Sequence, residues 1–115
     1  MIQWFLYGGS RGGAWAAILA ADARLQWSRV LLVAPYVLPR RNDAQPLAGG
    51  LQILRTSLRV AFGAADEWSQ DIQSFVQDCA IGGACEIQVF SGLAHAESLR
   101  QGDELWNIFS QRCKV

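Results

Sequence analysis

Three residues of this chain carry the side chains that a serine-dependent acyl transfer needs, and each follows a short apolar run. Ser10, Asp66 and His95 occur in that order, and His95 is the only histidine in the sequence. A serine hydroxyl becomes an effective nucleophile when an imidazole takes its proton, and a carboxylate can hold that imidazole in the required tautomer. The three residue types therefore predict nucleophilic catalysis, provided that the fold brings them together.

The surroundings of Ser10 predict how its hydroxyl is presented. Ser10 lies in a glycine-rich segment, Gly8–Gly13, between the apolar run Ile2–Tyr7 and the alanine-rich stretch Ala14–Ala23. This order predicts a strand, a sharp turn that carries the serine, and a helix. We expect the turn to force the serine backbone into a strained conformation, with the hydroxyl at the end of the sheet.

The neighbours of the serine have predicted roles of their own. In so sharp a turn, the residues two before and two after the serine face each other closely, which explains why Gly8 and Gly12 carry no side chain. The backbone N–H of Arg11 opens the helix and could donate a hydrogen bond to a developing oxyanion. The Arg11 side chain could contact a substrate carboxylate, or it could be an ordinary solvated charge.

Apolar runs and helical patterns alternate along the whole chain. Strands are predicted at Ile2–Tyr7, Val30–Ala34, Leu58–Phe62 and Glu86–Phe90, and helical stripes at Ala14–Ala21, Trp68–Cys79 and Leu105–Arg112. The stretch Pro35–Gly50 predicts a surface loop, followed by a short helix at Leu51–Ser57. Strands that alternate with helices imply a parallel sheet. We therefore expect one domain over residues 1–115, a three-layer α/β/α fold with a mainly parallel sheet of about four strands.

The predicted sheet brings the three chemical residues to one place. Segments that follow the strands of a parallel sheet meet at its carboxyl edge, and Ser10, Asp66 and His95 follow the first, third and fourth strands. The stretch between Asp66 and His95 holds one helix and one strand, about what a crossover consumes. Glu67 is a rival to Asp66, which could also act as the N-cap of the helix near Trp68.

With these features the chain resembles the α/β-hydrolase family, and especially its small, lidless, dienelactone-hydrolase-like members. The resemblance rests on Gly8–Gly12 as the nucleophile elbow, on Asp66 after the penultimate strand and on His95 after the last, in the order typical of that family. It implies hydrolysis of a carboxylic ester, thioester or amide through an acyl-enzyme, with a small-molecule acyl substrate and no cofactor. Ser10 would attack, His95 would transfer the proton and Asp66 would orient His95.

The resemblance covers nearly the whole chain but only the C-terminal half of the family's fold. The loop that supplies the family's second oxyanion N–H has no counterpart here. The first strand, with Trp4 and Phe5, is expected at a sheet edge, where it could mediate self-association or bind a partner chain. The alternative function is a non-catalytic hydrolase fragment or interaction module that needs the absent N-terminal half.

The composition argues against several other classes of function. The formal net charge of the 115-residue chain is +0, so bulk electrostatics gives no attraction for nucleic acid. No apolar run reaches the ~20 residues of a membrane span. A glycine turn that opens a helix can also bind phosphate, but the chain has neither G-x-G-x-x-G at that turn nor G-K-[ST].

The state of the cysteines would indicate the cellular compartment of the protein. Cys79 and Cys85 flank a plausible turn and could form a disulfide, which would indicate a periplasmic or secreted protein. They could instead remain two thiols, in which case a cytoplasmic location is the default expectation. The cysteine spacing and the shortage of histidines predict no zinc or other metal site.

Overall fold

The computed structural model describes residues 4–22, 27–36, 57–80 and 85–111, without the side chains of residues 57, 78–80 and 109–111. Within these ranges strands and helices alternate along the chain. The strands are β1 (Phe5–Gly9), β2 (Arg29–Val33), β3 (Ser57–Gly63) and β4 (Cys85–Phe90), and the helices are α1 (Arg11–Ala21), α2 (Ser69–Ala80) and α3 (His95–Gln111).

The sheet is parallel throughout, and its strands lie in the order β1-β2-β3-β4. Gly9 is level with Val33, Val33 with Ala61, and Gly63 with Phe90. The predicted parallel sheet is confirmed. The segments that leave the four strands therefore start from the same edge, which is the condition that the sequence-derived site requires.

Helices cover both faces of the sheet, as predicted. Alanines of α1 and apolar residues of α2 form a core with one face of β2 and β3, and the small alanine side chains let α1 lie close to the sheet. Leu105 of α3 packs against the opposite face. The residues of β2 from Val30 to Val33 have 0% of their surface exposed, and burying each such side chain contributes about 1.5–3 kcal/mol.

Helix α3, the last of the described elements, is held against the first strand. The Tyr7 hydroxyl on β1 donates a hydrogen bond to Asp103 Oδ1 over 2.9 Å. The Tyr7 ring also packs edge-to-face on Trp106, with 5.2 Å between ring centroids, and Phe5 packs on the same indole at 6.3 Å. Helix α3 starts after β4 and packs against β1, so it crosses the sheet. Its first turn therefore lies at the carboxyl edge of the sheet.

Several boundaries differ from the expectations. Helix α1 begins at Arg11, before the predicted start at Ala14, and α3 begins at His95, well before the stripe that starts at Leu105. Ser57, placed in the short helix Leu51–Ser57 by the sequence, is the first residue of β3. The rest of that predicted helix, and most of the predicted loop before it, lie outside the described residues.

The first strand lies at an edge of the described sheet, and the side chain of Trp4 beside it is 60% exposed. Pairing through this edge, with a second copy or another chain, stays a prediction. None of the helices in the described ranges combines the length and the apolar character of a membrane span.

The contact between Tyr7 and Asp103 predicts a loss of stability in alkali. Burial, and then the hydrogen bond and negative charge of Asp103, raise the pKa of Tyr7 to about 12, whereas an unfolded tyrosine titrates near 10. The folded state therefore holds this proton more tightly. The stability that results is fully present below pH ~10 and is lost as the pH rises towards ~12.

Urea denaturation between pH ~9 and ~11 measures this effect. We expect the free energy of unfolding to fall over this range, and to fall less in Tyr7→Phe. Both chains should carry Cys85→Ala, because burial followed by the charge of Glu86 also raises the pKa of Cys85, to about 11. Equal slopes with and without the Tyr7 hydroxyl would contradict the prediction.

Candidate active site

Ser10 occupies the turn between β1 and α1, with φ 55° and ψ −122°. A residue with a side chain rarely adopts a positive φ, so the predicted backbone strain is confirmed. Four backbone hydrogen bonds hold the turn. Ser10 N–H donates to the Val33 carbonyl over 3.0 Å, and the Ser10 carbonyl accepts from the N–H groups of Gly13 at 3.0 Å, Ala14 at 3.3 Å and Tyr36 at 2.9 Å. Although Ser10 is the N-cap of α1, its side chain makes no capping hydrogen bond, so the hydroxyl is directed elsewhere.

The glycines of the turn have different roles. A Cβ on Gly8 would overlap the carbonyl oxygen of Gly12 and lie 2.6 Å from the Ala16 Cβ, whereas a Cβ on Gly12 would meet no atom within 4 Å. A Cβ on Gly13 would lie 2.9 Å from Pro35 Cα. The steric role predicted for Gly8 is thus found, but the one predicted for Gly12 is wrong. Gly13, which the sequence reasoning missed, is a further close contact, because the segment after β2 packs against it.

The loops that follow β3 and β4 are joined to each other by backbone hydrogen bonds. Ala64 N–H donates to the Phe90 carbonyl over 2.9 Å, and Ala65 N–H donates to the Leu93 carbonyl over 3.0 Å. Gly63 lies so close to the Leu93 backbone that a Cβ would overlap it. The two loops therefore form one unit, which fixes the acidic residue of the first relative to the histidine that follows the second.

The structure brings together the three side chains singled out from the sequence. His95 Nδ1 lies 2.7 Å from Asp66 Oδ2, and His95 Nε2 lies 2.9 Å from Ser10 Oγ. A carboxylate can only accept hydrogen bonds, so the imidazole donates from Nδ1. Nε2 then has a free lone pair that can accept from the Ser10 hydroxyl. His95 occupies the first turn of α3, where the sequence predicted a loop.

Asp66 is held from several directions. Its side chain has 0% exposed surface, and its second oxygen, Oδ1, accepts the Trp68 N–H at 2.8 Å. A buried carboxylate needs hydrogen bonds of this kind to offset its desolvation. The same contact satisfies the backbone donor of Trp68, the residue just before α2, so Asp66 contacts both the imidazole and the segment that leads into the helix. Glu67, the rival considered from the sequence, is exposed.

An aromatic cluster lies beside the His95 ring. Trp68 packs edge-to-face on His95, with 4.7 Å between ring centroids, and Tyr36 packs on Trp68 at the same distance. The guanidinium of Arg11 lies 6.0 Å from the Tyr36 ring centroid. Sequence reasoning placed Trp68 in the apolar stripe of a helix and did not consider Tyr36. The one sequence feature that connects Trp68 with the site is its position, two residues after Asp66.

Two further predictions concern metals and cysteines. No group of three or more His, Cys, Asp or Glu side chains is placed to hold a metal ion within the described ranges. Cys85 is a free cysteine, so the structure does not contain the Cys79–Cys85 disulfide considered as one alternative. The side chain of Cys79 lies outside the described residues.

The chain resembles solved structures of hydrolases in fold. A predicted CIB-like hydrolase from Thermoplasma acidophilum matches with a TM-score of 0.67 and 16% identity, over 93% of this chain and 48% of that one. Esterase B from Lactobacillus rhamnosis, in a structure with a tributyrin phosphonate, matches with a TM-score of 0.66 and 18% identity, over 93% and 51%. At such identities the likeness establishes the fold alone, and it confirms the α/β-hydrolase architecture expected from the sequence.

The chain spans about half the length of these two structures. No model of a protein family matches it, and no curated protein is significantly similar to it in sequence.

The two glycines two residues from Ser10 give a direct test of the elbow geometry. Gly8→Ala should lower the free energy of unfolding by about 1–3 kcal/mol, because the new methyl group has no space. Gly12→Ala should leave it unchanged or raise it by up to ~1 kcal/mol, because alanine favours the helix. Urea denaturation of both variants measures the difference, and an equal loss in both would contradict the packing described here.

Proposed function

We propose that this protein is a serine hydrolase that cleaves carboxylic ester, thioester or amide bonds through an acyl-enzyme. The observation that carries the proposal is the unbroken set of hydrogen bonds from Ser10 Oγ through the His95 ring to Asp66 Oδ2, with distances of 2.9 and 2.7 Å. In this arrangement a base lies within reach of the hydroxyl proton, and a buried carboxylate orients the base.

The reaction would proceed in two acyl transfers. In the first, Ser10 Oγ attacks the carbonyl carbon of the substrate while His95 Nε2 takes the hydroxyl proton, and the same nitrogen returns that proton to the leaving alcohol, thiol or amine. In the second, His95 removes a proton from water, which attacks the acyl-enzyme, and the proton returns to Ser10 as the carboxylic acid departs. Asp66 stabilises the imidazolium in both steps and keeps its own charge.

The oxyanion of each tetrahedral intermediate needs a donor near Ser10. Arg11 is the first residue of α1, so its N–H has no acceptor within the helix and is our candidate. Each such donor is worth roughly 10²–10³ in rate, so this assignment bears directly on how fast the chain turns over.

The fold neighbours support the choice of a short acyl ester as the first substrate. One of them is named an esterase, in a structure with a tributyrin phosphonate, and tributyrin is an ester of a four-carbon acid. We propose p-nitrophenyl butyrate as the test substrate. The chain should hydrolyse it, and Ser10→Ala should reduce the rate to that of buffer while the urea midpoint stays nearly unchanged. Turnover retained by Ser10→Ala would refute the nucleophile.

The same assay decides the alternative function. The alternative is a non-catalytic fragment or interaction module, and a folded wild-type chain that hydrolyses no ester would favour it. Circular dichroism of the same sample establishes that the chain is folded.

The two neighbouring acidic residues allow a matched test of the carboxylate. Asp66→Asn should lower kcat by roughly 10⁴-fold, because the amide can present its N–H to His95 Nδ1 and favour the wrong tautomer. Asparagine caps helices as well as aspartate does, so stability should change little. Glu67→Gln, at an exposed position, should leave kcat unchanged, and equal effects of the two substitutions would contradict the role of Asp66.

A further inference from the structure

We propose that Trp68 is a positioning residue, whose indole holds the His95 ring in the orientation that the hydrolysis requires. The inference rests on the proposed function for its effect on rate, but the orientation of His95 can be observed without any turnover. Trp68 belongs to the loop that carries Asp66, and it contacts both members of the Asp66–His95 pair.

The first contact is made by the Trp68 backbone. Its N–H donates to Asp66 Oδ1 over 2.8 Å, while Asp66 Oδ2 faces His95 Nδ1 at 2.7 Å. The two oxygens are thus held by different partners, and the carboxylate cannot rotate without losing one of them. Trp68 in this way fixes the plane from which Asp66 presents its acceptor to the imidazole.

The second contact is made by the indole ring. It packs on the His95 ring with an interplanar angle of 69° and 4.7 Å between centroids. The hydrogen bond to Asp66 holds His95 at Nδ1 alone, about which the ring can still tilt. Packing against the indole restricts that tilt, which would otherwise move Nε2 away from Ser10 Oγ. Edge-to-face packing of two aromatic rings is favourable beyond the area that it buries, so it favours one orientation of the His95 ring.

The indole also connects the base to the nucleophile's side of the site. Tyr36 packs on Trp68 with 4.7 Å between centroids, and Tyr36 N–H donates to the Ser10 carbonyl. A continuous path of contacts therefore leads from the elbow, through Tyr36 and Trp68, to the His95 ring. This path is separate from the Ser10–His95 hydrogen bond, so it can keep the two residues aligned when that bond breaks during the reaction.

A purely structural role for Trp68 is the competing explanation, because the indole also packs against the core cluster under the sheet. Trp27 provides the matched control. It is half-buried like Trp68 and packs against the same cluster, but its indole N–H donates to the Leu19 carbonyl, on α1. Loss of Trp27 should reduce stability without disturbing the histidine.

The experiment compares Trp68→Leu, Trp68→Phe and Trp27→Leu in the same chain. With p-nitrophenyl butyrate, Trp68→Leu should lower kcat roughly 10- to 100-fold, the scale of a small misplacement of a reacting group, with KM nearly unchanged. Trp68→Phe keeps an aromatic ring and should recover most of kcat. Trp27→Leu should retain wild-type kcat even where its urea midpoint falls as far as that of Trp68→Leu.

Proton–nitrogen NMR gives the second readout, simplified because His95 is the only histidine. The Nδ1–H signal of His95 should be visible and slow to exchange in the wild type, in Trp68→Phe and in Trp27→Leu, and lost or exchange-broadened in Trp68→Leu. An unchanged signal in Trp68→Leu, or an equal fall of kcat in Trp27→Leu, would overturn the inference. A wild type without turnover would count against the proposed function instead, while the Nδ1–H signal would still decide the role of Trp68.

Discussion

The backbone of Ser10 is the constraint on which the rest of the site depends. Its φ of 55° turns the chain from β1 directly into α1, so the hydroxyl points off the carboxyl edge of the sheet. Local structure does not favour this conformation in a residue with a side chain. It persists because Ser10 forms backbone hydrogen bonds with Val33 and Tyr36. It also requires glycine at position 8, where a side chain would collide with the start of α1.

Four segments, one after each strand, form the site, and they are hydrogen-bonded to each other in two pairs. The segments after β1 and β2 are joined by the bonds of Ser10 to Val33 and Tyr36, and those after β3 and β4 by the bonds of Ala64 and Ala65 to the loop before α3. Each pair is fixed by backbone contacts that the parallel sheet makes possible, and the closest of them require glycine, at Gly13 in one pair and at Gly63 in the other. Side chains at the site join one pair to the other, and there the chemistry becomes specific to this sequence.

The sequence was sufficient to predict what depends on local pattern and residue type. The continuous apolar run Val30–Ala34 predicted a strand. Ser10, Asp66 and His95 could be singled out because each follows a predicted strand. The tight packing at Gly13, the place of His95 on a helix and the contact of Trp68 with His95 could not be predicted. These three features depend on contacts between segments that are distant in the sequence. Pro35 packs against Gly13, and α3 crosses the sheet because it packs against Tyr7.

Covalent trapping of the nucleophile tests whether His95 activates the Ser10 hydroxyl. The folded chain should be treated with a fluorophosphonate, which reacts with activated serines, and the modified residue identified by mass spectrometry of its peptides. We expect one phosphonyl group, on Ser10, and no reaction after His95→Ala. A folded chain that stays unmodified, or an adduct that forms on Ser10 equally well without the imidazole, would contradict this expectation.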